Sequence, residues 1–335
     1  MGIRPRLWVA TWTRPIWTEQ GQEEPRQQSA RAYSAQSIAC TSCFTPYPAS
    51  LCCETSEMIT LGIDLATEPS KTALASIKWE NGHATVVELC RGKTKDGQPL
   101  TDEVLVDRIQ QAHLTGIDCP FGWPDPFIVF LNAQAGEGGV FKAPDDLDQR
   151  RQLAYRLTDI NVGQEVAKKW GQDNELGEVN QWAHMPLSVS SNFLGLTAMR
   201  MASLSAKLAT VGTTIDKSGN SGKVIEVYPA ASLAMWGLPN KGYKGADKRG
   251  DLGELVDKLQ SEAPWLDLED EQEDEHLKLC RKWDDAFDAL IASLTARAHH
   301  VQGGPDIGKL SARVVEREGW IVLPRGELAD LPTGD

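Results

Sequence analysis

Ile59-Thr-Leu-Gly-Ile-Asp-Leu-Ala66 alternates without a break. Ile59, Leu61, Ile63 and Leu65 share one face, while Thr60, Gly62, Asp64 and Ala66 share the other. Side chains along a strand point alternately to its two sides, so this segment predicts a central β-strand with a carboxylate near its C-terminal end. Two further strand-like runs, Thr72 to Trp79 and Ala84 to Cys90, flank Asn81-Gly82. Both turn residues tolerate positive φ, which makes this pair a strong hairpin signal. The first three strands are expected to form an antiparallel meander.

The next stretch, Asp102 to Ala112, has helical spacing, with Leu105, Ile109 and Ala112 on one stripe and Thr101 in the N-cap position. It leads into Leu114-Thr-Gly-Ile-Asp118, which repeats the Gly-Ile-Asp of the first strand. A return through a helix implies parallel pairing with that strand. Cys119-Pro-Phe-Gly-Trp-Pro124 then breaks the chain.

About 100 residues separate this point from the next clear strand, Val224 to Tyr228, too many for a loop in a compact domain. Helical spacing around Gln149–Asp159, Gly163–Trp170 and Leu194–Leu208 predicts a helical insertion at about residues 124–222. A helix around Leu252–Gln260, an acidic run Leu268–Glu275, a long helix over about Lys282–His300 and a short edge strand at Trp320–Leu323 complete the order. This is a mixed α/β pattern that fits an RNase H-like domain over residues 58–331. A doubly wound sheet would lack the opening meander.

Composition agrees with a globular chain: of 335 residues, 41% are hydrophobic and 24% charged. The net charge of −13 argues against a general nucleic-acid coat, although residues 140–250 hold 14 Lys and Arg against 11 Asp and Glu. No run approaches the roughly 18 apolar residues of a membrane helix. The expectation is a soluble, cytoplasmic protein with no membrane partner. Cys90, Cys119 and Cys280 are scattered as free thiols would be. Residues 1–57 carry no strand or helix period and no apolar signal region. They are expected to be a disordered, dispensable extension, with native translation starting at Met58. Cys40-x-x-Cys43 within them is half of a zinc spacing, but adjacent Cys52 and Cys53 do not supply the other half.

The acids carry the chemistry. Asp285-Ala-Phe-Asp288 places two carboxylates three residues apart on one helical face, beside an apolar stripe of Phe287, Leu290, Ile291 and Leu294. Ala289, Ala292 and Ala296 keep that flank small enough for close approach to a sheet. An Asp-x-x-Asp also resembles a helix-capping arrangement, a reading that weakens if the helix begins near Glu275. Asp64 and Asp118 stand at strand ends, where aspartates also begin turns. Glu226 lies within a strand between Ile225 and Val227, where an acid needs a cation or a partner. Hard oxygen donors of this kind suit Mg²⁺ or Mn²⁺, and clustered carboxylates repel one another until cations neutralise them. Arg156, Lys244 and Arg249 are candidate phosphate contacts for a nucleic-acid or nucleotide substrate.

The sequence resembles the family called domain of unknown function 429, regarded as predicted RNase H-like nucleases. The resemblance rests on Gly62-Ile-Asp-Leu-Ala66, Gly116-Ile-Asp-Cys-Pro-Phe-Gly122, Arg156-Leu-Thr-Asp159, Glu226-Val-Tyr-Pro-Ala-Ala231, Tyr243-Lys244, Asp285-Ala-Phe-Asp-Ala-Leu290 and Gly319-Trp-Ile-Val322. The last helix is also similar to the Asp-x-x-Asp-Ala-Leu-Ala helix of RuvC-type resolvases. That resemblance implies metal-ligand roles for Asp285 and Asp288, with Asp64 bridging two ions and Asp118 or Glu226 as the fourth ligand. The implied activity is metal-dependent phosphodiester hydrolysis. Two other readings stay open: an RNase H-like nucleotide-binding or phosphotransfer protein, and a non-catalytic binding module. The first needs a glycine-rich phosphate hairpin that Asp64-Leu-Ala-Thr-Glu-Pro-Ser70 lacks.

Overall fold

A computed structural model describes residues 57–136, 144, 146–170, 185–190, 194–268, 275–305, 307 and 311–333. The expected N-terminal extension, the Cys40/Cys43 pair and most of the acidic run lie outside the described residues.

The chain opens with β1 (Met58–Asp64), β2 (Ala73–Glu80) and β3 (His83–Arg91), followed by α1 (Asp102–Gln111) and β4 (Leu114–Asp118). Helices α2 (Asp125–Gln134), α3 (Leu147–Ala154), α4 (Leu157–Trp170) and α5 (Gly195–Thr210) fill the insertion. Then come β5 (Val224–Val227), α6 (Pro229–Met235), α7 (Arg249–Glu262), β6 (Leu266–Asp267), α8 (Glu275–Lys282) and α9 (Asp284–Gln302). The last elements are α10 (Ala312–Glu318) and β7 (Ile321–Val322).

Seven strands form one mixed sheet in the order β6-β3-β2-β1-β4-β5-β7. β1, β2 and β3 are the antiparallel meander, turned at Asn81 and Gly82, whose φ values of 52° and 77° are those the dipeptide was expected to supply. β4 joins β1 in parallel, β5 joins β4 and β7 joins β5. This order is compatible with the RNase H-like expectation.

The two faces of β1 go to two cores. Leu61, Ile63 and Leu65 pack with α1 and α5, through Leu105, Ile109, Met201 and Leu204. The other face lies under α9. The Thr60 and Ser293 hydroxyls are 2.9 Å apart, and Trp79 Nε1 donates to Thr60 Oγ1 at 2.8 Å. At Gly62 and Gly116 the helix backbone touches the strands directly. A Cβ on Gly62 would sit 1.9 Å from the Ala289 carbonyl oxygen, and one on Gly116 would sit 2.5 Å from that of Ala292. No side chain fits there.

One helix boundary differs from expectation. The segment expected as one helix over Gln149–Asp159 is interrupted at Tyr155 and Arg156, because Arg156 takes its backbone out of register to bond Asp159. The last helix, expected over about Lys282–His300, runs from Asp284 to Gln302, with extended Trp283 separating it from α8. Asp285 therefore belongs to the first turn of α9.

Gly62→Ala should destabilise the protein by at least about 3 kcal/mol, since neither backbone can yield to the added methyl. Urea denaturation checks this, and Gly82→Ala, with nothing within 4 Å of its Cβ position, should cost clearly less.

Candidate active site

Strand register assembles the site. Asp64 pairs with Asp118 across β1 and β4, Asp64 pairs with Ala73 on β2, and Ala73 pairs with Arg91 on β3. Register partners point to the same side of a sheet, so Arg91, Asp64 and Asp118 form one row on the face covered by α9. The first two turns of α9 bring Asp285 and Asp288 to the end of that row. Asp285 Oδ2 accepts from Arg91 Nε at 2.5 Å. Asp288 accepts from Tyr243 Oη at 2.8 Å on Oδ1 and from Lys244 Nζ at 2.6 Å on Oδ2. Neither carboxylate caps its own helix.

The loop before α7 carries Tyr243 and Lys244. Tyr243 is buried against Phe287, ring edge to face with centroids 5.9 Å apart. Lys244 is half exposed. Asp284 Oδ2 accepts from the Gly245 amide at 3.0 Å, which ties this loop to the start of α9. On the other side, Arg200 of α5 donates to the Ala66 carbonyl at 2.6 Å and to Asp102 at 2.9 Å, fixing the chain just after Asp64. A cleft of about 460 Å³ opens over Asp64 and Asp118, bordered by Leu187, Tyr228, Asn240 and Lys244.

Crowding shows in the acids' proton affinity. Burial, then repulsion by Asp118 and Asp288, holds Asp64 well above the usual carboxylate range. Burial likewise pushes Asp118 up to about 7, with Asp288 and Glu226 adding to it and Lys244 opposing. Asp288 is raised by burial, against the pull of Lys244 and Tyr243. Burial works against the charge on Lys244, but Asp288 and its neighbours outweigh it and keep the ammonium firmly protonated.

Glu226 and Arg156 border the same cleft but are bonded to each other, not to this group. Glu226 pairs with Ile117, one residue out of step with Asp118, so its side chain leaves the opposite face of the sheet. There Arg156 Nη2 meets Glu226 Oε1 at 2.7 Å and Nη1 meets Oε2 at 3.0 Å. Asp159 takes Arg156 Nε at 3.2 Å and Nη2 at 2.8 Å, and the Glu318 carbonyl takes Nη1 at 2.9 Å. Every guanidinium N–H is spent inside the protein, where Arg156 is 1% exposed. The sequence placed Glu226 among metal ligands and Arg156 on substrate; the structure joins them to each other. Glu318, whose carboxylate accepts from the amides of Asp125 at 2.9 Å and Leu157 at 2.6 Å, was not singled out from sequence. Nothing in its local pattern marks it.

Arg249 is exposed, with its guanidinium 5.7 Å from the Trp283 ring centroid. Arg91 and Trp283 were also not foreseen as site residues. Counting back through the Asn81-Gly82 hairpin would set Cys90 level with Ala73; a bulge between Ser76 and Ile77 shifts the register by one and brings Arg91 there instead, so the sequence did not mark it. Cys119 is buried, and its thiol is pushed up by burial and neighbouring acids, which leaves no reactive thiolate.

The chain belongs to a family described as Protein of unknown function (DUF429), whose model matches residues 62–306. No curated protein and no solved structure matches it.

Two outcomes follow from the burial. Arg156→Ala leaves Glu226 and Asp159 buried without a counter-charge and should cost roughly 3–5 kcal/mol in chemical denaturation. The raised carboxylates favour the folded state while protonated, and this contribution is lost as pH rises from the ordinary carboxylate range through about 7. In EDTA the melting temperature should therefore fall between pH 5.5 and 8 over and above any other titration, and Asp118→Asn should flatten that slope.

Proposed function

We propose that this protein is a divalent-metal-dependent phosphodiester hydrolase acting on nucleic acid, with Asp64, Asp118 and Asp288 as ligands for Mg²⁺ or Mn²⁺. The observation that carries this reading is the convergence of carboxylates from two adjacent parallel strands, both lining one cleft, with Asp288 of α9 reaching the cleft residues Tyr243 and Lys244. Two of them come from the repeated Gly-Ile-Asp. Such crowding costs stability, as their raised proton affinity shows, and it is compensated when a multivalent cation is bound.

The donors are all hard oxygens, which fits Mg²⁺ or Mn²⁺. Among the described residues, no three Asp, Glu, His or Cys side chains already stand at metal-holding distance. Asp288 is instead occupied by Lys244 and Tyr243. Lys244 thus takes the part of the counter-ion, and metal binding requires it to release Asp288. Asp285, restrained by Arg91, flanks the group and adds negative charge. Glu226 is left out of the ligand set because it leaves the other face of the sheet and is neutralised by Arg156.

A bound cation supplies the Lewis acidity and charge neutralisation that phosphoryl transfer needs. The chain's residues do the positioning. Asp64 and Asp118 hold their places because register and the packing of α9 fix them. Lys244, once free of Asp288, lies at the cleft edge, where its ammonium can meet a substrate phosphate. The carbonyl-anchored turn after Asp64 keeps the cleft floor from shifting.

Calorimetry with Mn²⁺, run beside cleavage of single- and double-stranded DNA and RNA, tests the reading. Asp64→Asn and Asp288→Asn should each weaken Mn²⁺ binding by at least about 10–100-fold and remove hydrolysis in proportion. Cleavage by Asp64→Asn equal to that of the native protein would remove the assignment. Failure of the native protein to bind Mn²⁺ would leave a non-catalytic module as the better account.

A further inference from the structure

Trp283 breaks α8 from α9 directly before the acids, and three cations gather on it. The Arg91 guanidinium lies 4.1 Å from its ring centroid, Lys282 Nζ 5.6 Å and the Arg249 guanidinium 5.7 Å. Arg91 is committed to Asp285, and Asp284 to the Gly245 amide. Arg249 and Lys282 are exposed, and neither has a carboxylate partner among the described residues. On a chain of net charge −13, two uncompensated cations on a partly exposed tryptophan stand out.

Their position gives them meaning. Lys244 lines the cleft and holds Asp288. Asp285 and Arg91 lie one helical turn nearer the start of α9, and Trp283 precedes that turn. The cleft, at about 460 Å³, falls in the range of small-ligand pockets and matches one nucleotide unit, not a base-paired segment. The acids lining it, Asp64 and Asp118, are partly buried at the strand ends, and Asp288 beside Lys244 is 2% exposed. A duplex, whose bases are stacked and paired, does not deliver a phosphodiester to such a floor unless a nucleotide leaves the stack. A single strand does, and aromatic side chains interleaved with cations are the usual means of holding one.

We infer that the site takes single-stranded nucleic acid. One nucleotide enters the cleft, and the adjoining one packs against Trp283 with its phosphates at Arg249 and Lys282. This rests on the hydrolase reading for the chemistry, but strand binding itself does not need it.

The test uses a labelled phosphorothioate single strand, its hairpin duplex and the native protein with Mn²⁺, read by fluorescence anisotropy. The single strand should bind at least about tenfold more tightly than the duplex, and Trp283→Ala should bring the two level. Trp283→Phe, which keeps a ring, should retain most of the preference and guards against a folding defect. The Arg249→Ala/Lys282→Ala double variant should lower the salt dependence of log affinity by about 1.4, two phosphate contacts at about 0.7 each. Equal affinity for duplex and single strand, or an unchanged salt slope in the double variant, overturns the inference. So does turnover of the p-nitrophenyl ester of thymidine 5′-monophosphate without binding of either oligonucleotide, an outcome that leaves the hydrolase reading standing. Preferential single-strand binding with no hydrolysis of any substrate supports the inference and removes the hydrolase reading.

Discussion

Backbone contact between α9 and the sheet at Gly62 and Gly116 sets the depth of the whole arrangement. Packed layers are usually held apart by their side chains, as in stacked sheets about 10 Å apart. Here two glycines on adjacent strands, opposed by Ala289, Ala292 and Ser293, remove that spacing. The start of α9 therefore arrives close to the ends of β1 and β4. Were the helix held further out, Asp285 and Asp288 would lie in a separate layer from Asp64 and Asp118, and no common electrostatic site would exist.

That closeness has a cost, which the fold distributes by strand alternation. Acids at even steps of the row, Asp64 and Asp118, face α9 and share Lys244 through Asp288. Glu226, one residue out of step, faces the insertion and is neutralised by Arg156, with Asp159 on the same guanidinium. A single sheet edge thus carries two acidic systems on opposite faces, both bordering one cleft, one held by half-exposed Lys244 and one by buried Arg156. The second also fastens the insertion. Arg156 sits between α3 and α4 and bonds the Glu318 carbonyl at the end of α10, so it ties three separate parts of the chain to β5.

Much of this was legible in the sequence because alternation and glycine placement are local signals. The strand Ile59–Ala66, the hairpin at Asn81-Gly82, the parallel return to Leu114–Asp118 and the long last helix all follow from periods of two or near four. The small flank of Ala289, Ala292 and Ala296 gave the close approach of α9. What stayed hidden is non-local. The sign of each charge in Arg156-Leu-Thr-Asp159 is visible, but its destination at Glu226 depends on an insertion folding back across some seventy positions, and no local pattern encodes that. The same holds for Glu318, and for the break at Trp283, where apolar spacing alone runs through from α8.

The two basic residues that meet the acids differ in kind, and the difference fits their places. A guanidinium is planar, always charged and able to satisfy two carboxylates at once, which suits a sealed, permanent knot such as that of Arg156. An ammonium is a compact charge on a flexible stem with three donors and no fixed plane. Lys244 holds Asp288 through one contact, remains half exposed, and sits between Gly242 and Gly245, whose φ values of 80° and 105° give the loop turns that other residues resist. Exchange of Lys244 for another cation needs rotation of one side chain, whereas exchange of Arg156 would break five hydrogen bonds in the interior. The half-exposed charge thus rests on a single carboxylate and the buried one on five hydrogen bonds, a difference in how readily each can be displaced.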